Sequence, residues 1–189
     1  MTQERFRIYD PLRAKRHELC HPADHDDFET IIVQVNGTPR QAKWEPLAME
    51  LIREDEKGRK YLRSDSPWLG TSDALIFRPT AILAMGQLLR AYGELLPLRC
   101  EGNELWMFNP RLVDALDEEA STIKYFSDGD IMDIKRYVFR PEVVRGVHAF
   151  KIPQLPRACP TFVSQEFVDQ WSTAQLKGLT FTKVWEYTG

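Results

Sequence analysis

A pattern that occurs three times from residue 74 onwards constrains the fold more than any other feature of the sequence. Each copy has a short apolar strand, a helix-start signal, a helix or helical turn followed by glycine, and a second apolar strand. The copies span residues 74–100, 137–152 and 161–187. In the first copy, Pro79 suits the first helical turn, where its missing N–H loses no hydrogen bond, and Gly93 suits the helix end. The pattern indicates either an internal repeat or only the usual succession of elements in α/β units.

Two hairpins are predicted between these units. The first joins 95–100 to 104–108, and the second joins 123–126 to 130–139, each through a loop that contains glycine. A short helix is expected over 111–121. Because hairpins alternate with helices, the predicted fold class is α+β, with a mixed, mostly antiparallel sheet and three or four short helices.

The amino-terminal part is less regular. Residues 1–27 are dense in charge and show no sustained apolar period, so we expect a loose or partly ordered arm. The β-branched stretch 28–35 predicts a strand, and 44–52 predicts a short amphipathic helix. We therefore predict an N-terminal arm and small lobe over residues 1–63 and a main domain over residues 64–189.

Charge and composition narrow the class of partner. The 189-residue chain has 25 lysines and arginines and 28 acidic residues, a net charge of −3 with both signs interspersed. Neither nucleic acid nor a membrane is predicted as a partner, because no basic patch is evident. No apolar run suits a signal peptide or spans a bilayer. Since the three cysteines are also few and widely spaced, we expect a cytoplasmic protein.

One cluster has the residue types of a metal site. It comprises His17, Cys20, His21 and His25. His17 and His21 would share one face if the segment were helical. A structural zinc site usually recruits a second, distant ligand pair, whereas the only other histidine is His148 and no Cys-x-x-Cys occurs. A polar arm with clustered histidines is the preferred interpretation, a metal site is the alternative, and no cofactor is predicted.

Nucleophilic chemistry has no recognisable motif. The sequence has no Gly-x-Ser-x-Gly elbow and no glycine-rich nucleotide loop. Cys100 and Cys159 lie in apolar or proline-flanked settings, which favours buried and inert thiols. We therefore predict that the protein is not an enzyme.

An acidic run in the predicted helix over 111–121 is the main candidate for an interaction site. It comprises Asp114, Asp117, Glu118 and Glu119. The run has three interpretations: a solvated helix face, a docking patch for a basic partner, or a set of catalytic carboxylates. Adjacent residues along an exposed helix do not converge on a pocket, as acid–base catalysis requires. Complementary charge, by contrast, steers association and rejects wrong partners.

Trp68 is a second interface candidate. It lies in the loop 64–73, whose proline and glycine indicate a fixed turn. A tryptophan in such a loop either plugs the core or anchors an interface.

Six sets of phrases are informative when they are taken together, in order and spacing. They are Trp44-Glu-Pro-Leu47, Ser66-Pro-Trp-Leu-Gly-Thr-Ser-Asp-Ala-Leu75 with Phe77-Arg-Pro79, Tyr92-Gly-Glu-Leu-Leu-Pro-Leu98, Glu104-Leu-Trp-Met-Phe-Asn109, Val113-Asp-Ala-Leu-Asp-Glu-Glu-Ala-Ser121 and Leu176-Lys-Gly-Leu-Thr-Phe-Thr-Lys-Val-Trp185. Over roughly residues 30–187, these phrases resemble the bacterial immunity-protein family numbered eleven among polymorphic-toxin systems.

This resemblance implies a cytosolic antidote that binds a cognate toxin protein and blocks its active surface without catalysis. The family carries no catalytic motif that could be transferred, and the histidine cluster lies outside the matching phrases. A homodimer is compatible with the sequence. The alternative functions are a scaffold or metal-binding protein of a phage or secretion gene cluster, and a small enzyme with an unrecognised site.

Overall fold

The computed structural model describes residues 4–70, 74–156 and 160–189. Their strands and helices confirm the predicted α+β class. The helices are α1 (Asp27–Gln34), α2 (Pro79–Tyr92), α3 (Pro141–Val144) and α4 (Gln165–Thr173). The strands are β1 (Arg5–Arg13), β2 (Leu19–Pro22), β3 (Met49–Ile52), β4 (Leu75–Phe77), β5 (Gly93–Cys100), β6 (Asn103–Pro110), β7 (Thr122–Tyr125), β8 (Ile131–Arg136), β9 (Ala149–Phe150), β10 (Phe162–Ser164) and β11 (Leu179–Thr188).

An antiparallel three-stranded sheet, ordered β4-β6-β5, is buried on both faces. Phe77 and Phe108 pack on the side of α2 and α4. Ile76 and Met107 alternate with them and pack on the opposite side, in a cluster that includes residues of α1, β2 and β3. Strands buried on both faces need apolar residues at successive positions, which explains why their sequences are nearly continuous in hydrophobicity.

A four-stranded antiparallel sheet, ordered β11-β1-β10-β9, corrects the prediction of a loose arm over residues 1–27. β1 pairs with β11 along its whole length. Two of its charged residues share a cross-strand partner: Glu186 of β11 accepts hydrogen bonds from Arg5 and Arg7. Together with Lys183 these arginines lower the pKa of Glu186 to about 2. Opposite charges on neighbouring strands stabilise their pairing, so a charged segment can form a strand here.

Two further predictions for the amino-terminal part are wrong. The predicted strand 28–35 is the helix α1, because Phe28, Ile31 and Val35 recur at helical spacing and pack into one cluster. The predicted helix 44–52 contains β3, which pairs with β2. In both segments tertiary packing overrides the local preference of the residues.

The carboxy-terminal units follow the prediction more closely. The first and third strand–helix–strand units are confirmed, as are both hairpins. In the second unit, the predicted strand at 137–141 is wrong: residue 139 forms only an isolated bridge, with Leu116. The predicted helix over 111–121 is also wrong. Its backbone groups hydrogen-bond to other segments instead: the Val113 N–H donates to the Lys151 carbonyl, and the Asp117 N–H donates to the Val138 carbonyl.

The division of the chain between residues 63 and 64 stays a prediction. β1 nevertheless belongs to a sheet whose other three strands lie beyond residue 148. In the part of the chain that the structure describes, no helix is both long and apolar enough to cross a membrane.

Candidate interaction surface

The hairpin of β7 and β8 stands apart from the larger sheets. Within the described ranges, its two strands form a sheet of their own and pair with no third strand. The register shifts twice, between Thr122 and Ile123 and between Lys124 and Tyr125. Such shifts bend and twist a ribbon and are common at sheet edges and next to functional sites.

Apolar exposure increases from the base of this hairpin to its tip. Ile134 is buried, and its cross-strand partner Ile123 packs partly against the same core cluster. Further out, Tyr125 is 49% exposed, Phe126 is 50% exposed and Met132 is 40% exposed. The sequence predicted the hairpin but not this exposure. The available signal was the pair of aromatic residues immediately before the Ser-Asp-Gly turn, where a core strand would already have ended.

The tip of the hairpin is acidic. Residues 125–134 contain Asp128, Asp130 and Asp133 and no lysine or arginine. Asp128 and Asp130 are exposed. Asp133 forms an ion pair with Lys135 of the same strand. The outer part of the hairpin therefore combines exposed aromatic area with negative charge.

Asp114 of the predicted acidic run is held by two neighbours. Gln154 Nε2 donates to its carboxylate at 2.8 Å, and Arg140 forms an ion pair with it at 3.0 Å. These two groups hold the pKa of Asp114 below its ordinary value. Arg140 also donates to the Asp114 backbone carbonyl. Asp114 thus links the segment that precedes β7 to residues that follow β8.

The rest of the acidic run lies at the base of the hairpin. The Asp117 carboxylate accepts from the Ala120 backbone N–H at 3.0 Å, which shapes the turn that leads into β7. Glu118 accepts from Gln154 at 3.1 Å and is exposed, as is Glu119. Arg136 of β8 donates to the Ala120 carbonyl at 2.6 Å and joins this turn to the hairpin. We call the run and the hairpin together the acidic surface.

Trp68 packs into the protein on one side. Its ring contacts the buried cluster around α2 and α4, and its indole N–H donates to the Gly70 carbonyl at 2.8 Å. The Trp68 backbone N–H donates to the Glu18 carbonyl, and the Trp68 carbonyl accepts from the Cys20 N–H. The ring is half-buried. These contacts agree with a core plug, and the role of an interface anchor stays a prediction.

The four metal candidates are not gathered into a site. Among the described residues, no group of three or more histidine, cysteine and carboxylate side chains is arranged to hold a metal ion. Cys20 is fully buried in β2, and burial raises the pKa of its thiol. His21 is half-buried, and burial and the nearby Arg13 lower its pKa. His17 precedes the strand, and His25 is exposed against Phe28.

A motif in this segment was missed by the sequence interpretation. Residues 17–21 read His-Glu-x-x-His, the spacing that on a helix brings two histidines together on zinc with the glutamate as general base. Here the segment enters the strand β2, so the histidines do not share a helix face. Glu18 turns into the protein and pairs with Arg78. The conformation required for a metalloprotease is therefore not adopted.

Glu18 and Arg78 line a cleft of about 540 Å³. Glu18 is 3% exposed and Arg78 is 4% exposed. Arg78 Nη2 donates to the Glu18 carboxylate at 2.7 Å, and its other nitrogens donate to the Ser64 carbonyl and to Asn103. The Ser64 N–H also donates to Glu18. These charged groups satisfy one another, so the arrangement joins β2, β4 and β6 rather than presenting a free acid or base.

The two cysteines among the described residues form no disulfide. Cys20 is buried and Cys100 is half-buried, and both are free. The predicted buried thiol Cys159 lies outside the described residues.

Comparison with known families gives one match. Residues 99–186 match the model of the Immunity protein family (Imm11). No curated protein is similar enough to the chain to count as a match. The matched range contains the acidic surface, including Asp114 and Glu119 and both strands of the β7–β8 hairpin. It excludes Trp68, Arg78 and the histidine cluster.

Proposed function

We propose that this chain, whose residues 99–186 match the Immunity protein family (Imm11), is an immunity protein that binds a cognate toxin and covers that toxin's active surface. The observation that carries the proposal is the family match together with the acidic surface inside the matched range. In this role the protein acts in the cytoplasm and without catalysis. An inhibitor of this kind needs a stable scaffold and a complementary patch.

Three features of the acidic surface support a docking role. Glu118 and Glu119 are exposed. The carboxylates of Asp114 and Glu118 both accept from Gln154, and that of Asp117 accepts from the Ala120 N–H, so donors of the chain itself hold these acidic groups in place. The turn is also fixed by its own hydrogen bonds, so its charges are presented without loss of freedom on binding.

The charge of the surface indicates the kind of toxin. A run of carboxylates suits a partner with a basic cleft, such as one that accepts nucleic acid, because opposite potentials accelerate and align the encounter. Trp68 is a second interface candidate, and its exposed side would extend the contact beyond the matched range.

Co-expression tests the proposal. The product of the open reading frame next to the gene is expressed as the candidate toxin, with and without this chain. Rescue of growth, together with a stable complex of the two purified proteins, is the expected result. Failure of the wild-type chain to rescue or to bind the candidate toxin would overturn the proposal.

A matched pair of triple variants tests the acidic run. Asp117→Asn, Glu118→Gln and Glu119→Gln together should weaken binding and slow association at low salt. The control is the run Glu54, Asp55 and Glu56, which lies outside the matched range and has the same pattern of one half-buried and two exposed carboxylates. The corresponding substitutions there should leave affinity unchanged. Equal affinity of both triple variants for the toxin would refute the role of the run.

A further inference from the structure

The β7–β8 hairpin points to the part of the acidic surface that enters the toxin. We infer that residues 125–132 form a docking tip, whose aromatic side chains insert into an apolar socket within a basic cleft of the toxin. This inference rests on the proposed function, and it names the element of this chain and the chemistry of the partner surface.

The distribution of apolar area supports insertion. Ile134 is buried in the core and Ile131 packs partly against the same cluster, whereas Tyr125, the cross-strand partner of Ile131, and Phe126 are about half exposed. A ribbon that only covered the core would carry polar residues at these outer positions. Large aromatic side chains are among the residue types most enriched at interfaces and at their energetic centres.

An exposed apolar residue elsewhere in the molecule differs from those of the hairpin. Leu83 on α2 is 91% exposed, but it is a single aliphatic side chain on a helix, and such residues are common on soluble proteins. At the hairpin, by contrast, Tyr125, Phe126 and Met132 occur within one ribbon. Clustered exposed apolar side chains surrounded by polar groups mark interaction sites.

The tip is preorganised for binding. The Phe126 N–H donates to the Asp130 carbonyl at 2.8 Å, and the Asp130 N–H donates to the Asp128 side chain at 3.1 Å. Gly129 has a φ of 94°, a conformation that residues with a side chain rarely adopt. A turn that is already fixed loses little conformational freedom when a partner covers it.

The charge of the tip selects the partner. Asp128 and Asp130 flank the turn, and the nearest basic residues along the chain are Lys124 and Lys135 nearer the base. A second copy of this chain would bring the same negative charges together, which disfavours pairing of two tips. A basic cleft with an apolar floor fits both the charge and the aromatic residues.

Titration against the toxin that the wild-type chain neutralises tests the inference. The toxin is used in a catalytically inactive form, and affinity is measured by calorimetry. Tyr125→Ser with Phe126→Ser should weaken binding about 30-fold or more, as expected for interface hot spots. The control variant Leu83→Ser should bind as the wild type does. Far-ultraviolet circular dichroism of each variant verifies that the fold is retained.

A second pair of variants separates charge from shape. Asp128→Asn with Asp130→Asn keeps the side-chain acceptor of the turn and removes two charges. Association should slow about tenfold at low salt, with a smaller salt dependence. The control is Glu101→Gln with Glu104→Gln, at the exposed turn between β5 and β6, which should leave the rate unchanged.

The outcomes distinguish this inference from the proposed function. If the wild-type chain does not bind the candidate toxin, the proposed function fails. If it binds and the aromatic double variant binds equally well, the docking tip is wrong while the immunity role stands. Hydrogen exchange gives an independent result: residues 122–136 should be protected in the complex. Protection elsewhere only, or a stable dimer of this chain formed through the hairpin, would overturn the inference.

Discussion

The β5–β6 and β7–β8 hairpins are both antiparallel but differ in almost every other physical respect. β5 and β6 pair without a register shift from Gly93 with Pro110 to Cys100 with Asn103, and β4 adds a third strand. β7 and β8 pair over four positions with two shifts and have no third strand within the described ranges. The first hairpin lies between two core clusters, whereas the second leaves the core at its base.

This difference shows that a turn signal predicts which strands pair, but not whether the paired strands are buried or exposed. Both hairpins have a loop with glycine, which is enough to predict that each pair of strands meets. What separates them is the residue pattern beyond the turn. β6 has apolar residues at successive positions, which suits burial on both faces, whereas β8 alternates with charged residues such as Lys135 and Asp133.

An ion pair also lies next to each hairpin, and the two ion pairs differ in how deeply they are buried. Arg78 binds Glu18 and Asn103 at the turn of the β5–β6 hairpin, with both charged side chains almost fully buried. Asp114 and Arg140 join the connections at the base of the β7–β8 hairpin, where 64% of the Asp114 side chain is exposed. A buried pair is costly to break, whereas water screens an exposed one.

Truncation of the packed hairpin should have the largest effect on stability. Phe108→Ala removes a fully buried ring that contacts Phe77 and the cluster around α2. We expect a loss of about 4 kcal/mol in the free energy of unfolding, because the ring leaves a cavity that the sheet cannot close from either face. Urea denaturation measures the loss. A value below about 1 kcal/mol would show that this hairpin is not the packed centre of the fold.

Breaking the buried ion pair should have the next largest effect. Arg78→Met leaves the Glu18 carboxylate buried, with the Ser64 N–H and the more distant Arg53, 3.8 Å away. We expect a loss of about 3 kcal/mol in the free energy of unfolding. Adding Glu18→Leu should recover part of this loss, since no uncompensated charge then remains. If the double variant is less stable than Arg78→Met, the pair does not act as a coupled unit.

The projecting hairpin should tolerate the same kind of truncation. Tyr125→Ser with Phe126→Ser removes two large rings that are already about half exposed, so little burial is lost. We expect a change of less than about 1 kcal/mol in the free energy of unfolding. Equal losses from this variant and from Phe108→Ala would remove the distinction between the two hairpins.

The sequence allowed the packed hairpin to be predicted better than the surroundings of the candidate site. Pro79, Gly93 and the apolar runs of β4 to β6 determine their structure locally, and these elements are confirmed. The segment 111–121 was predicted to be helical because its residues favour a helix. Its backbone instead bonds to Lys151 and Val138, which are distant in sequence.

The buried pair escaped prediction for a related reason. Glu18 and Arg78 are 60 positions apart, and Glu18 lies in a stretch with other charged or polar residues. Nothing local distinguishes a glutamate that will be buried from one that will be solvated, because burial depends on which strands meet. The exposure of Tyr125 and Phe126 was missed for the converse reason, since aromatic residues are expected in a core.

Lowering the pH should have the smallest effect on stability, and it tests the exposed ion pair between Asp114 and Arg140. Gln154 and Arg140 hold the pKa of Asp114 below its ordinary value, so the ionised form stabilises the folded chain. This contribution is present above a pH of about 4 and is lost as the pH falls through the lowered pKa. We expect Asp114→Asn to lower the free energy of unfolding by less than about 1 kcal/mol at pH 7, because solvent screens the ion pair. This gap in stability between the variant and the wild type should shrink at lower pH.

Urea denaturation of both proteins between pH 7 and pH 3 measures the gap, and Arg140→Met should reduce it at every pH. A gap that stays constant with pH would mean that ionisation of the Asp114 carboxylate does not stabilise the fold, and the two ion pairs would then differ in their chemistry as well as in their burial.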